Sequence, residues 1–307
     1  GIAGRSMTYS DEDHLSTAGG VIYNYDQDGF LTAKTNGPDI TAYSYSARGE
    51  LLSVTLPDGT LIEYTHDPLG RRIARKVNGA TMEKYLWQGL ARLLAVYDCH
   101  DNLLIRFEYA DERMPVAMTR SGGTYYLIYD QVGSLRLVTD YYGNPVKTID
   151  YDSFGNIIND SNPSFKVPFG FAGGLHDPET GLIRFGYRNY DPDVGRWTAK
   201  DPIFFAGGDT DLYGYCLNDP VNLVDPDGLI RQGNIIDWGG TVLTAIAREG
   251  GLIGPKLATG LSIITSVLGE LVDPRPLNVG EEGYIRHYRM MQAVSYTHLR
   301  AHETKAN

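Results

Sequence analysis

A short pattern, Tyr-Asp-x-x-Gly or a near variant, recurs along the chain and constrains its fold more than any other feature. It reads Tyr25-Asp26-Gln27-Asp28-Gly29, then Tyr45-Ser46-Ala47-Arg48-Gly49, then His66-Asp67-Pro68-Leu69-Gly70. A decayed copy, Tyr97-Asp98-Cys99-His100-Asp101-Asn102, lacks the glycine. Later copies begin at Tyr129, Tyr151 and Tyr190 and end at Gly133, Gly155 and Gly195. Gly29, Gly49 and Gly70 stand 20 and 21 residues apart, with Gly59 halfway between the last two. Each copy is followed by alternating residues, as in Phe30 to Thr35 and Arg71 to Val77, which is the period of a strand with one buried face.

A unit of about 20 residues is therefore one β-hairpin, and a lone hairpin cannot bury its own apolar face. Stacked copies can. The spacing predicts a mainly β fold, with consecutive antiparallel hairpins winding through residues 20–160. Within each unit the Asp caps the turn through a local backbone hydrogen bond, the Gly supplies positive φ, and the Tyr packs along the sheet. The excess of 22 Tyr and 36 Gly over 9 Phe and 3 Trp follows from that repetition.

Charge and cysteine usage narrow the function. A net charge of −11 argues against a surface that coats nucleic acid. Cys99 and Cys216 match neither a disulfide framework nor a metal spacing, and no cofactor or metal site is expected. His298 and His302 have helical spacing but no acidic third ligand. The absence of an initiator Met and of an apolar signal core suggests an internal fragment or a reading frame cut at its start.

The repeats give way between Asn159 and Pro168. Residues 169–229 are dense in Gly, Pro, Asp and aromatics, with Asp before Pro at Asp177, Asp191, Asp201, Asp219 and Asp225. Such pairs start turns and discourage helix. From Ile230 the composition shifts to Ile, Leu, Ala and Gly with helical spacing, and its longest uncharged run, Leu257 to Gly269, is too short to span a bilayer. The expected organisation is a β-shell fragment over 1–160, an irregular core over 161–229, the start of a mostly α segment over 230–294, and a tail over 295–307. That tail resembles translated sequencing-adaptor DNA.

Residues 181–197, reading Gly-Leu-Ile-Arg-Phe-Gly-Tyr-Arg-Asn-Tyr-Asp-Pro-Asp-Val-Gly-Arg-Trp, resemble the opening of the Rhs repeat-associated core. Asp201-Pro202-Ile203 and Asn218 to Leu229 resemble its continuation and end, and the upstream hairpins resemble YD repeats. The resemblance covers roughly residues 20–229. It implies a hollow cocoon, as in Rhs proteins, the C component of ABC toxin complexes and the teneurin shell, with the core plugging one end. For the bacterial toxins it further implies an encapsulated, variable C-terminal effector, released by self-cleavage after the Asp-Pro-x-Gly-Leu motif. Here that bond is Leu229–Ile230, where composition independently places a boundary.

The resemblance assigns an aspartic-type pair to Asp201 and Asp225, with Arg196 as the basic residue tuning it. Two carboxylates that share one proton suit such chemistry. This sequence departs from the family pattern where Phe204 and Phe205 replace Gly-Leu. The stretch Gly207 to Leu212 is also longer than usual, so Asp209 or Asp211 competes for the second role. The partners implied are the rest of the shell, the effector, secretion-system components and an immunity protein, in a bacterial, secreted or envelope-associated setting. The alternative is a wall-associated or adhesive protein that binds glycans through its tyrosines and is not cleaved.

Overall fold

The computed structural model describes residues 5–89, 91–110 and 113–233, all of them within one compact unit. The segment expected to be mostly α, 230–294, lies outside the described residues except for 230–233, as does the tail 295–307. Among the described residues sixteen strands, β1 (Met7–Tyr9) to β16 (Ile157–Asp160), form one antiparallel sheet. Every strand pairs only with its neighbours in sequence.

The repeat explains this order locally. At the first full copy the Asp26 carboxylate accepts the N–H groups of Asp28 (3.0 Å) and Phe30 (2.9 Å), while the Gly29 N–H donates to the Asp26 carbonyl. Gly29 has φ +79°, so the turn closes with a residue in the left-handed region and the strand register shifts at Tyr25. The same carboxylate pattern holds at Asp67, Asp130 and Asp152. The copy without a glycine folds alike, with Asp101 taking φ +64°. Asp and Asn tolerate that region better than most residues.

Four short strands follow: β17 (Leu175–His176), β18 (Ile183–Phe185), β19 (Arg188–Asp191) and β20 (Arg196–Trp197), which form a second antiparallel sheet. A final pair joins β21 (Leu223–Val224) to β22 (Gln232–Gly233). Phe185, Tyr190, Trp197 and Tyr215 pack into an almost wholly buried aromatic core between these elements. Leu182 and Val194 join the apolar face of the early shell strands, while Phe169 and Leu175 join that of the later ones.

Plug side chains also bond to the backbone of the shell turns. Tyr213 Oη donates to the Gly29 carbonyl (2.7 Å), Arg184 Nη2 to the Gly70 carbonyl (2.7 Å), and Tyr190 Oη to the Phe154 carbonyl (2.8 Å). The turns the repeat creates are thus the surface on which the plug is fitted.

Candidate functional site

Asp201 and Asp225, 24 positions apart in sequence, converge on one guanidinium. Arg188 Nη2 lies 2.8 Å from Asp201 Oδ2 and 3.2 Å from Asp225 Oδ2, and all three residues are buried. The rest of Arg188 is satisfied by backbone: Nε donates to the Gly228 carbonyl (2.5 Å) and Nη1 to the Leu212 carbonyl (3.2 Å). Its guanidinium carbon sits 4.2 Å from the centre of the Trp197 ring. That bonding and stacking hold the cation in a single orientation.

Two turns deliver the carboxylates. Asp201 caps its own Asp-Pro turn, accepting the Ile203 N–H at 2.9 Å, and its backbone N–H donates to the Leu212 carbonyl. The turn from Asp225 to Gly228 docks on the β18–β19 connection, where the Tyr187 N–H donates to the Asp227 carbonyl (2.9 Å). Gly228 is required there: at φ +67°, a Cβ would stand 2.6 Å from the Phe185 carbonyl oxygen.

The bond expected to be cut lies against this pair. The Leu229 N–H donates to Asp225 Oδ1 at 3.0 Å. A Cβ on Gly207 would stand 2.7 Å from the Leu229 carbonyl oxygen and 2.9 Å from Asp201 Oδ2, so those two oxygens border the same small space. On the far side of the bond, Arg231 Nη1 donates to the Gly208 carbonyl (2.6 Å), and Gln232 pairs with Val224. The Leu229–Ile230 bond therefore sits in a loop anchored at both ends.

Burial raises the Asp201 carboxyl above its ordinary range, with Arg188 opposing. Burial likewise raises Asp225, with Arg188 again opposing and the charge of Asp201 adding to the rise. Burial lowers Arg188, against the pull of both carboxylates. Such an arrangement can retain a proton on one of two neighbouring carboxyls.

Arg196 does not join them, which corrects the expectation placed on it. It forms a two-pronged pair with Asp211, with both N–O distances 2.8 Å, and donates to the Asp13 carbonyl (3.0 Å). Asp211 is thereby committed to Arg196, and Asp209 to the Asp211 N–H. The cation missed from sequence is Arg188. No local sequence pattern marks it, although it lies in a four-residue strand whose every position is buried. Phe204 stands where the family pattern has glycine and adopts φ +54°, while Phe204 and Phe205 remain exposed. The turn shape is kept at the expense of backbone strain.

A sequential sheet of Asp-capped hairpins, fitted with a separate plug that carries a buried Asp–Arg–Asp cluster, defines a YD-repeat shell with its associated core. The teneurin YD-shell family model matches residues 2–221, and the chain belongs to that family. Teneurin-3 of Danio rerio is 32% identical over 233 residues, covering 71% of this chain and 8% of that protein. Teneurin-3 of Mus musculus is 34% identical over 200 residues, 64% of this chain and 7% of that one. This chain thus spans under a tenth of the length of those relatives. The Photorhabdus luminescens Tc holotoxin pore with a TccC3 variant shares the fold, with a TM-score of 0.50 at 18% identity. The alignment covers 74% of this chain and 15% of that one.

Proposed function

We propose that this chain is the C-terminal part of a shell that encloses a downstream effector and frees it by cutting its own Leu229–Ile230 bond. The shell role itself follows from the fold and the family. One observation carries the proposed cleavage: the Leu229 N–H is held by Asp225 while the Leu229 carbonyl oxygen borders Asp201. In the proposed reaction the ionised carboxylate of the pair takes a proton from water as that water attacks the Leu229 carbonyl carbon. The protonated carboxyl donates to the carbonyl oxygen, the C–N bond breaks, and a proton passes to the Ile230 nitrogen. Arg188 positions both carboxylates and does not transfer a proton. In this reading the partners are the rest of the shell and its effector, with secretion-system components and an immunity protein, in a secreted or extracellular setting.

Expression of the chain within a complete shell, followed by intact mass measurement and N-terminal sequencing, tests this reading. A fragment beginning at Ile230, absent in both Asp201→Asn and Asp225→Asn, is expected. A chain that stays whole, or that is cut despite both substitutions, rejects it.

A second reading has one observation in its favour. Arg188 is fully partnered, as in a static ion clamp that holds the plug closed without any cleavage. Wild-type chain that stays intact, yet unfolds more readily without Arg188, selects that reading. Glycan binding would rest on few shell tyrosines, because Tyr23, Tyr43 and Tyr64 are buried whereas Tyr9, Tyr141 and Tyr142 are exposed.

A further inference from the structure

Outside the Asp201–Asp225 cluster, the plug meets the shell through a second group of buried charges. β7 (Leu61–His66) and β8 (Arg72–Val77) are joined by the turn that holds Gly70, and His66 lies directly opposite Arg72 in that pair. Arg72 Nη2 reaches Asn189 Oδ1 at 3.4 Å, Asn189 lies directly opposite Arg184 across β18 and β19, and Arg184 bonds back to the Gly70 carbonyl. The four side chains thus close a ring about one place.

The ring has donors to spare. Arg72, Arg184 and Asn189 are each at least 96% buried, and among the described residues Arg72 Nε, Arg184 Nη1 and Asn189 Nδ2 find no hydrogen-bond partner. Neither nitrogen of His66 has one either. Among the described residues Arg184 has no carboxylate partner. The acidic groups nearby face other cations: Asp177 Oδ2 pairs with Arg75 (3.3 Å), accepts from Tyr64 (2.5 Å) and lies 3.8 Å from Arg72, Glu50 pairs with Arg48 (2.6 Å), and Asp67 pairs with Arg71 (2.6 Å). Buried cations are ordinarily paired, because an isolated charge in a poorly polarisable interior is costly.

We propose that His66, Arg72, Arg184 and Asn189 form a binding site for one small inorganic anion, such as chloride, enclosed where the plug meets the shell. An anion there receives the spare N–H groups and supplies the missing charge. Burial, with Arg72 adding to it, pulls Arg184 down to about 9, and burial with Arg184 and Arg72 pulls His66 down to about 3. Burial is the larger cause in both, and the neighbouring cations add to it, a contribution that a bound anion offsets. Near-complete burial excludes a protein carboxylate arriving from outside and favours a monatomic ion.

The test is thermal unfolding of the whole chain in chloride, with gluconate replacing chloride at constant ionic strength so that general screening is held fixed. The unfolding midpoint is expected to rise by roughly 3–5 °C for each tenfold increase in chloride above its dissociation constant. Arg184→Met should abolish that dependence. A wild-type midpoint indifferent to chloride overturns the proposal, as does a dependence that survives Arg184→Met. If the variant fails to fold, crystals of the unaltered chain grown in bromide decide the matter. An anomalous peak beside Arg184 Nη1 supports the site, and its absence there overturns it.

Discussion

The shell strands and the plug are built from the same chain by opposite means. In the shell, each turn is capped by its own Asp and each strand pairs with the next, so the information for a hairpin lies within about 20 residues. In the plug, a side chain finds its partner far away: Arg5 with Asp193, Lys34 with Asp191, Arg75 with Asp177. Of fifteen buried polar or charged residues among the described ones, nine fall in the span from Asp177 to Asp225. The shell is therefore held by apolar burial and local turns, whereas the plug adds charges that are stable only once all their partners have assembled.

Substitution of Arg188 strains that contrast most. Arg188→Met leaves Asp201 and Asp225 buried without their cation and should cost about 3–5 kcal/mol at neutral pH. Because burial raises both carboxyls, the folded chain binds their protons more tightly than the unfolded chain does. That contribution is present below the ordinary carboxyl range and is lost as pH rises through the raised folded values. The penalty of Arg188→Met should therefore shrink on acidification, as the pair protonates. Urea unfolding at pH 7 and again near pH 4.5 measures it, and an equal loss at both would show that the charges are not what matters.

The turn glycines separate the two regions more finely. Gly155 has φ +96°, and a Cβ there would fall 2.5 Å from Cγ of Phe171 in the plug. Gly155→Ala should cost about 2–4 kcal/mol, combining backbone strain with displacement of a packed ring. Gly143 has a similar φ of +87° but nothing within 4 Å of its would-be Cβ. Gly143→Ala should cost only the strain, about 1–2 kcal/mol. If the two prove equal by denaturant titration, the plug does not bear on the turns as described.

Smallest is Tyr190→Phe, which strips one hydroxyl from the aromatic core and leaves the Phe154 carbonyl without that donor. About 1 kcal/mol is expected. Hydrogen exchange at the 152–156 turn should quicken more than at the 140–144 turn, and uniform exchange at both would deny a specific link between plug and turn.

The same division governs what the sequence reveals. The hairpins are legible because Asp26, Asp67, Asp130 and Asp152 each cap the turn they belong to, and even the copy at Asp98 folds once Asp101 accepts the left-handed region. The convergence of Asp201 and Asp225 is legible only through the motif, since the 23 intervening residues impose nothing locally. Arg188 and Arg196 look alike in sequence, each beside aromatic residues. Which of them faces the carboxylates is decided by the docking of the Asp225 turn against Tyr187, a contact no local pattern encodes. The ring around Arg184 is hidden for the same reason, because its members come from β7, β8, β18 and β19.

The unbroken strand order of the sheet bears on how the molecule is made. A chain emerging from the ribosome presents each new strand beside the one that must receive it, so the entropy lost in bringing partners together stays small at every step. Nothing synthesised later is needed to set the register of what came earlier. The plug is different, since Arg196 and Tyr213 bond to carbonyls 183 and 184 residues upstream and must wait for most of the sheet. Nascent chains halted at successive lengths should gain protease protection one hairpin at a time, with a final step as residues 169–229 clear the exit tunnel. Protection appearing all at once would show that the wall cannot stand before its plug arrives.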